Sequence, residues 1–385
     1  MAEREAGPGR TQAEEIGDVR RAYAGKLFPD LQVSTFRNID RLFPTRTVKR
    51  GEKVLELPLY HRQLEDFPIP ANGTVYDIYD YVSRNRVTGL LILKDGRIAM
   101  EYYGAGNDRA TRWMSMSVAK SISSTLVGAA IRDGYIGGLE DQLTRYLPEL
   151  EGSGYDGVTV RELLQMTSGV HWDETHTNPN SERSAVLELQ IGQQPGAIMR
   201  YMASLPRVAA PGTRWNYSTG ETHVVGALLH AATGRWVSDY LTDKIWSKLG
   251  MERDASWWLE SPDGLEVAGS GISATLRDYA RFGLFIMNDG IIDGERVLPE
   301  GWVREAGSPR MIGGAQVDYG FMWWPVKGPD GSYEGFAARG IFGQFIYVNP
   351  RARVVVAVWS ARAKPRFAEV ILDNDFFNAV VEALG

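Results

Sequence analysis

The chain has 385 residues, 44% of them hydrophobic and 23% charged, a composition that suits a globular enzyme with a large core. Its 42 Lys and Arg against 48 Asp and Glu leave a net charge of -6 with no basic block to neutralise a phosphate backbone, so nucleic acid is not an expected partner. The absence of cysteine excludes disulfides, thiolate catalysis, zinc–thiolate sites and iron–sulfur clusters.

The first ten residues are charged and small, with no apolar segment of the kind that opens a signal peptide, so export is not expected. No run of about eighteen apolar residues suggests a membrane span, which makes the cytoplasm the default location. Residues 1–60 carry few periodic apolar positions and read as an extended, surface-lying leader, flexible in part and without chemistry. No linker or repeat divides the remainder, so residues 61–385 form one catalytic unit.

Residues 89–103 place Lys94-Asp95-Gly96 between two β-prone apolar runs, the pattern of a hairpin. From Ser117 the period becomes helical, with Val118, Ile122, Leu126 and Ala129-Ala130 on one face before Asp133-Gly134. Further helices are expected over residues 160–166, 184–203, 222–232, 237–249 and 276–287, several ending at glycine. Strands return at 319–324, 340–348 and 354–359, and a helix over 367–384 closes the chain. The fold class is therefore α/β of the α+β kind: an antiparallel sheet built from both chain ends, flanked by helices, with an inserted helical domain. The sheet subdomain takes about 61–145 and 262–385 and the helical one about 146–261, with an active site in the cleft between them.

Ser117-x-x-Lys120 begins a helix, where positions i and i+3 share a face and bring the amine to the hydroxyl. A lysine can accept the serine proton only if burial and the positive end of the helix dipole keep it neutral part of the time. The same helix start offers the Ser117 N–H to a developing oxyanion. The plain alternative makes Ser117 an N-cap and Lys120 a solvated first-turn lysine. The apolar neighbours Trp113, Met114, Met116, Val118 and Ala119 fit that alternative poorly.

Two further segments join the motif. Residues 211–220 hold Tyr217 among small polar residues; a phenol beside a cationic lysine has a lowered pKa and can carry the serine proton to the leaving group, although from this segment alone a ring packed in a turn is the commoner reading. Ala338-Arg339-Gly340-Ile341-Phe342-Gly343-Gln344 opens a strand where glycine allows close approach and an edge N–H can complete an oxyanion hole, or simply makes a bulge. No Gly-x-Ser-x-Gly elbow accompanies the five histidines, which disfavours a Ser-His-Asp triad. His171 and His176 lack the spacing and third ligand of a metal site, so no metal and no cofactor is expected.

Ser117-x-x-Lys120, then Leu163-Leu-Gln-Met-Thr-Ser-Gly169, then Tyr217-Ser-Thr, then the glycine-bearing edge at 338–344, taken in order over residues 75–385, resemble the serine β-lactamase and penicillin-binding-protein superfamily. The likeness is strongest to its class C-like branch, which includes family VIII carboxylesterases and the 6-aminohexanoate-dimer hydrolases of nylon oligomers. The resemblance implies Ser117 as nucleophile, Lys120 as its base or base partner and Tyr217 as proton shuttle. It also implies an oxyanion hole of the Ser117 and Ile341 N–H groups; a register shifted by three would nominate Gln344.

Thr219 stands where the β-lactamase motif has Asn, and Ala338-Arg339-Gly340 where it has Lys-Thr-Gly, which moves the expected substrate from β-lactams toward simpler amides and carboxylic esters. The segment 171–182 occupies the region that shapes the pocket in the nylon-oligomer group, making Trp172, His176 and Glu182 substrate-binding candidates. The expected partner is thus a small-molecule amide or ester, with neither nucleic acid nor membrane, and a homodimer is left open. A β-lactamase or D-alanyl-D-alanine peptidase is the lesser enzymatic reading, and a non-catalytic binding protein the reading from another class.

Overall fold

The computed structural model describes residues 14–385. Its centre is a six-stranded antiparallel sheet in the spatial order Trp324–Val326, Gly335–Arg339, Phe345–Asn349, Val354–Ser360, Val87–Lys94, Arg97–Tyr103. Strands from both chain ends therefore meet at its middle, where Val356 pairs with Ile92. Both central strands are buried except at Lys94, the last residue of one, so they read as nearly unbroken apolar runs, yet the alternation of a strand still sorts their side chains. Leu90, Ile92, Val354, Val356 and Val358 face the closing helix Asp373–Leu384 with its Phe376 and Phe377. Leu91, Leu93, Val355, Ala357 and Trp359 face the helix Leu276–Met287 on the other side.

The hairpin of residues 87–103 forms as expected. Asp95 and Gly96 turn at φ 52° and 73°, left-handed at both central positions, the geometry of the favoured two-residue turn. The helix Leu276–Met287 keeps its expected bounds, started by the Thr275 side chain accepting from the Asp278 N–H. The middle helices run Val160–Leu164, Glu182–Gly192, Ala197–Ser204, Thr219–Thr233 and Val237–Lys244. The single helix expected over 184–203 is two, because Gln193 and Gly196 both turn left-handed.

Several expectations are corrected. The described part of the leader, residues 14–60, is not a surface strap: it holds the helices Val19–Tyr23 and Pro29–Arg37, with Phe36, Ile39 and Val48 fully buried. Its strand Thr45–Val48 pairs with Ala255–Trp258 at the edge of a second, four-stranded sheet completed by Ile272–Thr275 and Arg112–Met114. Residues 1–13 of that leader lie outside the described residues. The second sheet draws strands from the region read as helical; they are wholly buried and lack alternation. Residues 319–323 turn rather than extend, with Met322 at φ 59°, and only Trp324–Val326 pairs. The closing helix begins at Asp373, six residues beyond the expected start. Among the described residues no helix is long and apolar enough to cross a membrane.

Candidate active site

Ser117 stands where the strand Arg112–Met114 gives way to the helix Val118–Arg132. The chain makes that corner through Met116, a non-glycine residue held at φ 45°. Such a conformation persists only where the surroundings impose it, and it concentrates at functional positions. Here Ser115 imposes it: its N–H donates to the Ile272 carbonyl at 2.7 Å and its hydroxyl accepts from the Ile272 N–H at 3.1 Å. Ser117 is formally the N-cap, but its side chain makes no capping hydrogen bond, so the alternative role as a cap is unfilled.

The Ser117 hydroxyl instead accepts from Lys120 Nζ at 2.9 Å. Lys120 is 1% exposed and also donates a 2.9 Å hydrogen bond to the Gly269 carbonyl, so the solvated-lysine alternative fails as well. Burial drives its pKa down to about 7, with Glu174 opposing that shift and Arg183 adding to it. An amine poised there is a base near neutral pH rather than a permanent cation.

Tyr217 completes the group. Its phenol lies beside the Ser117 hydroxyl, close enough to act on it, and its ring lies 5.2 Å from Lys120 Nζ. Edge and tilted contacts with Tyr319 at 5.9 Å and Trp324 at 5.7 Å fix the ring. The segment 163–169 holds the loop that carries it: the Asn216 N–H donates to the Met166 carbonyl at 3.0 Å and the Gly212 N–H to that of Thr167 at 2.8 Å. The expectation of a lowered phenol pKa is overturned. Burial first, and then the charge of Glu174, push it above its ordinary value, so Tyr217 stays a neutral proton donor.

The hairpin turn at 340–344 closes the site from the sheet side. A Cβ on Gly340 would lie 2.6 Å from Gln344 Oε1 and 2.9 Å from both Met116 Cβ and the Ser115 carbonyl, so glycine lets this turn press against the Ser117 corner. Gln344 is buried and spends its side chain on the turn, accepting from the Phe342 N–H at 3.1 Å. Ile341 lines the cleft. Among the described residues, the N–H groups of Ser117 and Ile341 have no hydrogen-bond acceptor.

The cleft has a volume of about 670 Å³, and its walls include Trp172, Trp215, Trp324 and Phe367 with His176, Tyr217 and Ile341. Trp172 and His176 are therefore where the sequence placed them. Burial holds the His176 imidazole neutral, with a pKa near 3. Glu182 is not brought to the cleft: its carboxylate accepts from the Asp173 N–H at 2.8 Å and sits 3.3 Å from His171 Nε2. Arg339 turns its guanidinium to Asn374 on the closing helix.

Two residues escaped sequence reading. Glu174 is buried and takes hydrogen bonds from the Trp172 indole at 2.6 Å, the Thr219 N–H at 2.9 Å and the Thr219 hydroxyl. Thr219, the departure from Asn, thus points at a buried carboxylate and not into the cleft. Arg366 stands exposed at the cleft rim, without an ion pair among the described residues. Two carboxylates between the histidines of segment 171–176 hinted at the first; nothing local marks the second. Among the described residues no three His, Asp or Glu gather as a metal site.

The family described as Beta-lactamase matches residues 81–377. The chain is 30% identical over 354 residues to the 6-aminohexanoate-dimer hydrolase of Paenarthrobacter ureafaciens, covering 86% of this chain and 85% of that protein. A solved Bacillus anthracis chain, provisionally named a 6-aminohexanoate-dimer hydrolase, superposes with TM-score 0.81 at 22% identity over 96% of this chain and 98% of its own. A family VIII carboxylesterase structure superposes with TM-score 0.61 at 18% identity, over 80% and 94%.

Proposed function

This chain belongs to the beta-lactamase family and is a hydrolase, and on that premise we propose that it opens small linear amides or carboxylic esters through an acyl-enzyme on Ser117. The observation that carries this is the buried Lys120 amine, 2.9 Å from the Ser117 hydroxyl and with a pKa near 7. As Ser117 Oγ attacks the carbonyl carbon, its proton passes to neutral Lys120. The oxyanion forms against the N–H groups of Ser117 and Ile341. Tyr217, protonated and beside Ser117, relays the proton to the departing nitrogen or oxygen as the carbonyl–heteroatom bond breaks. Water then attacks the ester on Ser117, giving up its proton to the same pair and releasing the acid.

What supports a linear substrate is the aromatic wall of Trp172, Trp215, Trp324 and Phe367, with the exposed Arg366 guanidinium at the rim to meet a carboxylate. A linear ω-amino-acid dimer, the kind of compound in the relative's name, has an apolar stem and such a carboxylate. A β-lactam fits less well: Thr219 is turned away and Arg339 is committed to Asn374. The reading places the enzyme in the cytoplasm, acting without cofactor, nucleic acid or membrane, as a monomer or homodimer.

Turnover of a 6-aminohexanoate dimer, p-nitrophenyl esters and nitrocefin by one preparation tests the substrate. Cleavage of the dimer with nitrocefin slower than the esters is expected. Nitrocefin turnover well above both would return the assignment to a β-lactamase, and ester cleavage without dimer cleavage would make the protein a carboxylesterase.

A further inference from the structure

The wall of the cleft and the segment that carries Tyr217 are joined by one side chain. Glu174, 8% exposed, belongs to the wall segment of Trp172 and His176. Its Oε2 accepts from the Trp172 indole and from the N–H of Thr219, and its Oε1 from the Thr219 hydroxyl. Thr219 opens the helix Thr219–Thr233 two residues after Tyr217. The start of a helix presents unsatisfied N–H groups and the positive end of its dipole, which suits an ionised carboxylate. Three donors compensate the burial of that charge.

Among the described residues no cation closes on Glu174 as tightly as these donors do. His176 Nε2 lies 3.7 Å away and its ring is neutral, while Arg183 Nε is 4.0 Å away with its guanidinium stacked 4.4 Å over Tyr23. The negative charge is therefore felt in the interior, and Lys120 is among the groups it acts on. The groups that face Lys120 are Ser117 on its own helix, Tyr217, the Gly269 carbonyl, and the charges of Glu174 and Arg183 from the cleft wall and the helix Glu182–Gly192.

We propose that Glu174 is a positioning residue: its carboxylate clamps the cleft wall to the Tyr217 segment and supplies a negative charge that, against the effect of burial, raises the pH at which Lys120 becomes a competent base. This rests on Lys120 being the base for Ser117. Arg183 acts in the opposite sense, so the two charges trim the base against each other. Tyr217 feels the same carboxylate, which helps to keep its phenol protonated.

The test is the pH profile of kcat/KM on a neutral p-nitrophenyl ester, with fluorophosphonate labelling of Ser117 followed alongside. Glu174→Gln keeps the shape and acceptor oxygen but not the charge, and should move the acid limb down by about one pH unit. Arg183→Gln should move it up. Thr219→Val, which loosens the clamp without changing charge, should lower kcat and leave the limb in place. A limb unmoved in Glu174→Gln, or moved the same way in Arg183→Gln, overturns the proposal; if Glu174→Gln does not fold, the direction of the Arg183→Gln shift decides alone. Failure of the wild type to label at Ser117 would instead overturn the acyl-enzyme reading on which the proposal rests.

Discussion

Replacing Lys120 by Met should inactivate the protein and, in mild acid, stabilise it. Burial takes the Lys120 pKa from 10.5 to about 7, which at about 1.4 kcal/mol per unit makes the charged form about 5 kcal/mol costly to hold inside. Met keeps the unbranched shape without the charge, but leaves the Gly269 carbonyl without its 2.9 Å donor, a loss of about 1–3 kcal/mol. The variant should therefore exceed the wild type by about 2–4 kcal/mol at pH 6. Because the folded-state pKa lies below the unfolded one, the unfolded chain binds the extra proton between about pH 7 and 10.5, and wild-type stability rises with pH across that window. Urea unfolding should find the variant's advantage smaller by about 2–3 kcal/mol at pH 9 than at pH 6. Labelling of Ser117 by a fluorophosphonate should fall by about three orders of magnitude or more, since nucleophile and base act as a unit. An advantage that does not change with pH, or that grows toward pH 9, would refute burial as the origin of the basicity of Lys120.

Tyr217→Phe removes a donor from the leaving group, so turnover of an amide should drop by about two to four orders of magnitude; a p-nitrophenyl ester, whose leaving group needs no proton, should lose far less, and equal losses would deny Tyr217 the relay. Gly340→Ala puts a Cβ 2.6 Å from Gln344 Oε1 and 2.9 Å from Met116 Cβ, which should push Ile341 off the oxyanion and cost about tenfold or more in kcat. Unchanged kcat there would take Ile341 out of the oxyanion hole. Arg366→Glu should cut kcat/KM for a carboxylate-bearing ester by about tenfold or more at low salt and spare a neutral one; parallel effects on both would show that Arg366 does not meet the substrate.

The hairpin at residues 87–103 and the helix Leu276–Met287 could be read directly, because turn chemistry in one and a capped, strongly periodic face in the other act over a few residues. Ser117, Lys120 and Tyr217 came from motif order, and the structure brings all three together. What sequence reading missed depends on distant partners. Thr45–Val48 becomes a strand because Ala255–Trp258 pairs with it from two hundred residues away. Met116 takes φ 45° because Ser115 is tied to Ile272. The direction of the Tyr217 shift was misjudged for a related reason: burial raises the phenol first, the lysine expected beside it is itself brought down to a pKa of about 7, and the largest charge acting on the phenol is that of Glu174.

The most direct test of the mechanism is the covalent intermediate itself. Wild-type protein mixed with a p-nitrophenyl ester, quenched in acid within its first turnovers and read by intact mass should gain the acyl mass, and peptide mapping should place it on Ser117. Ser117→Ala should gain nothing and release no p-nitrophenol above background. Acylation at another residue, or undiminished turnover in Ser117→Ala, would contradict the account.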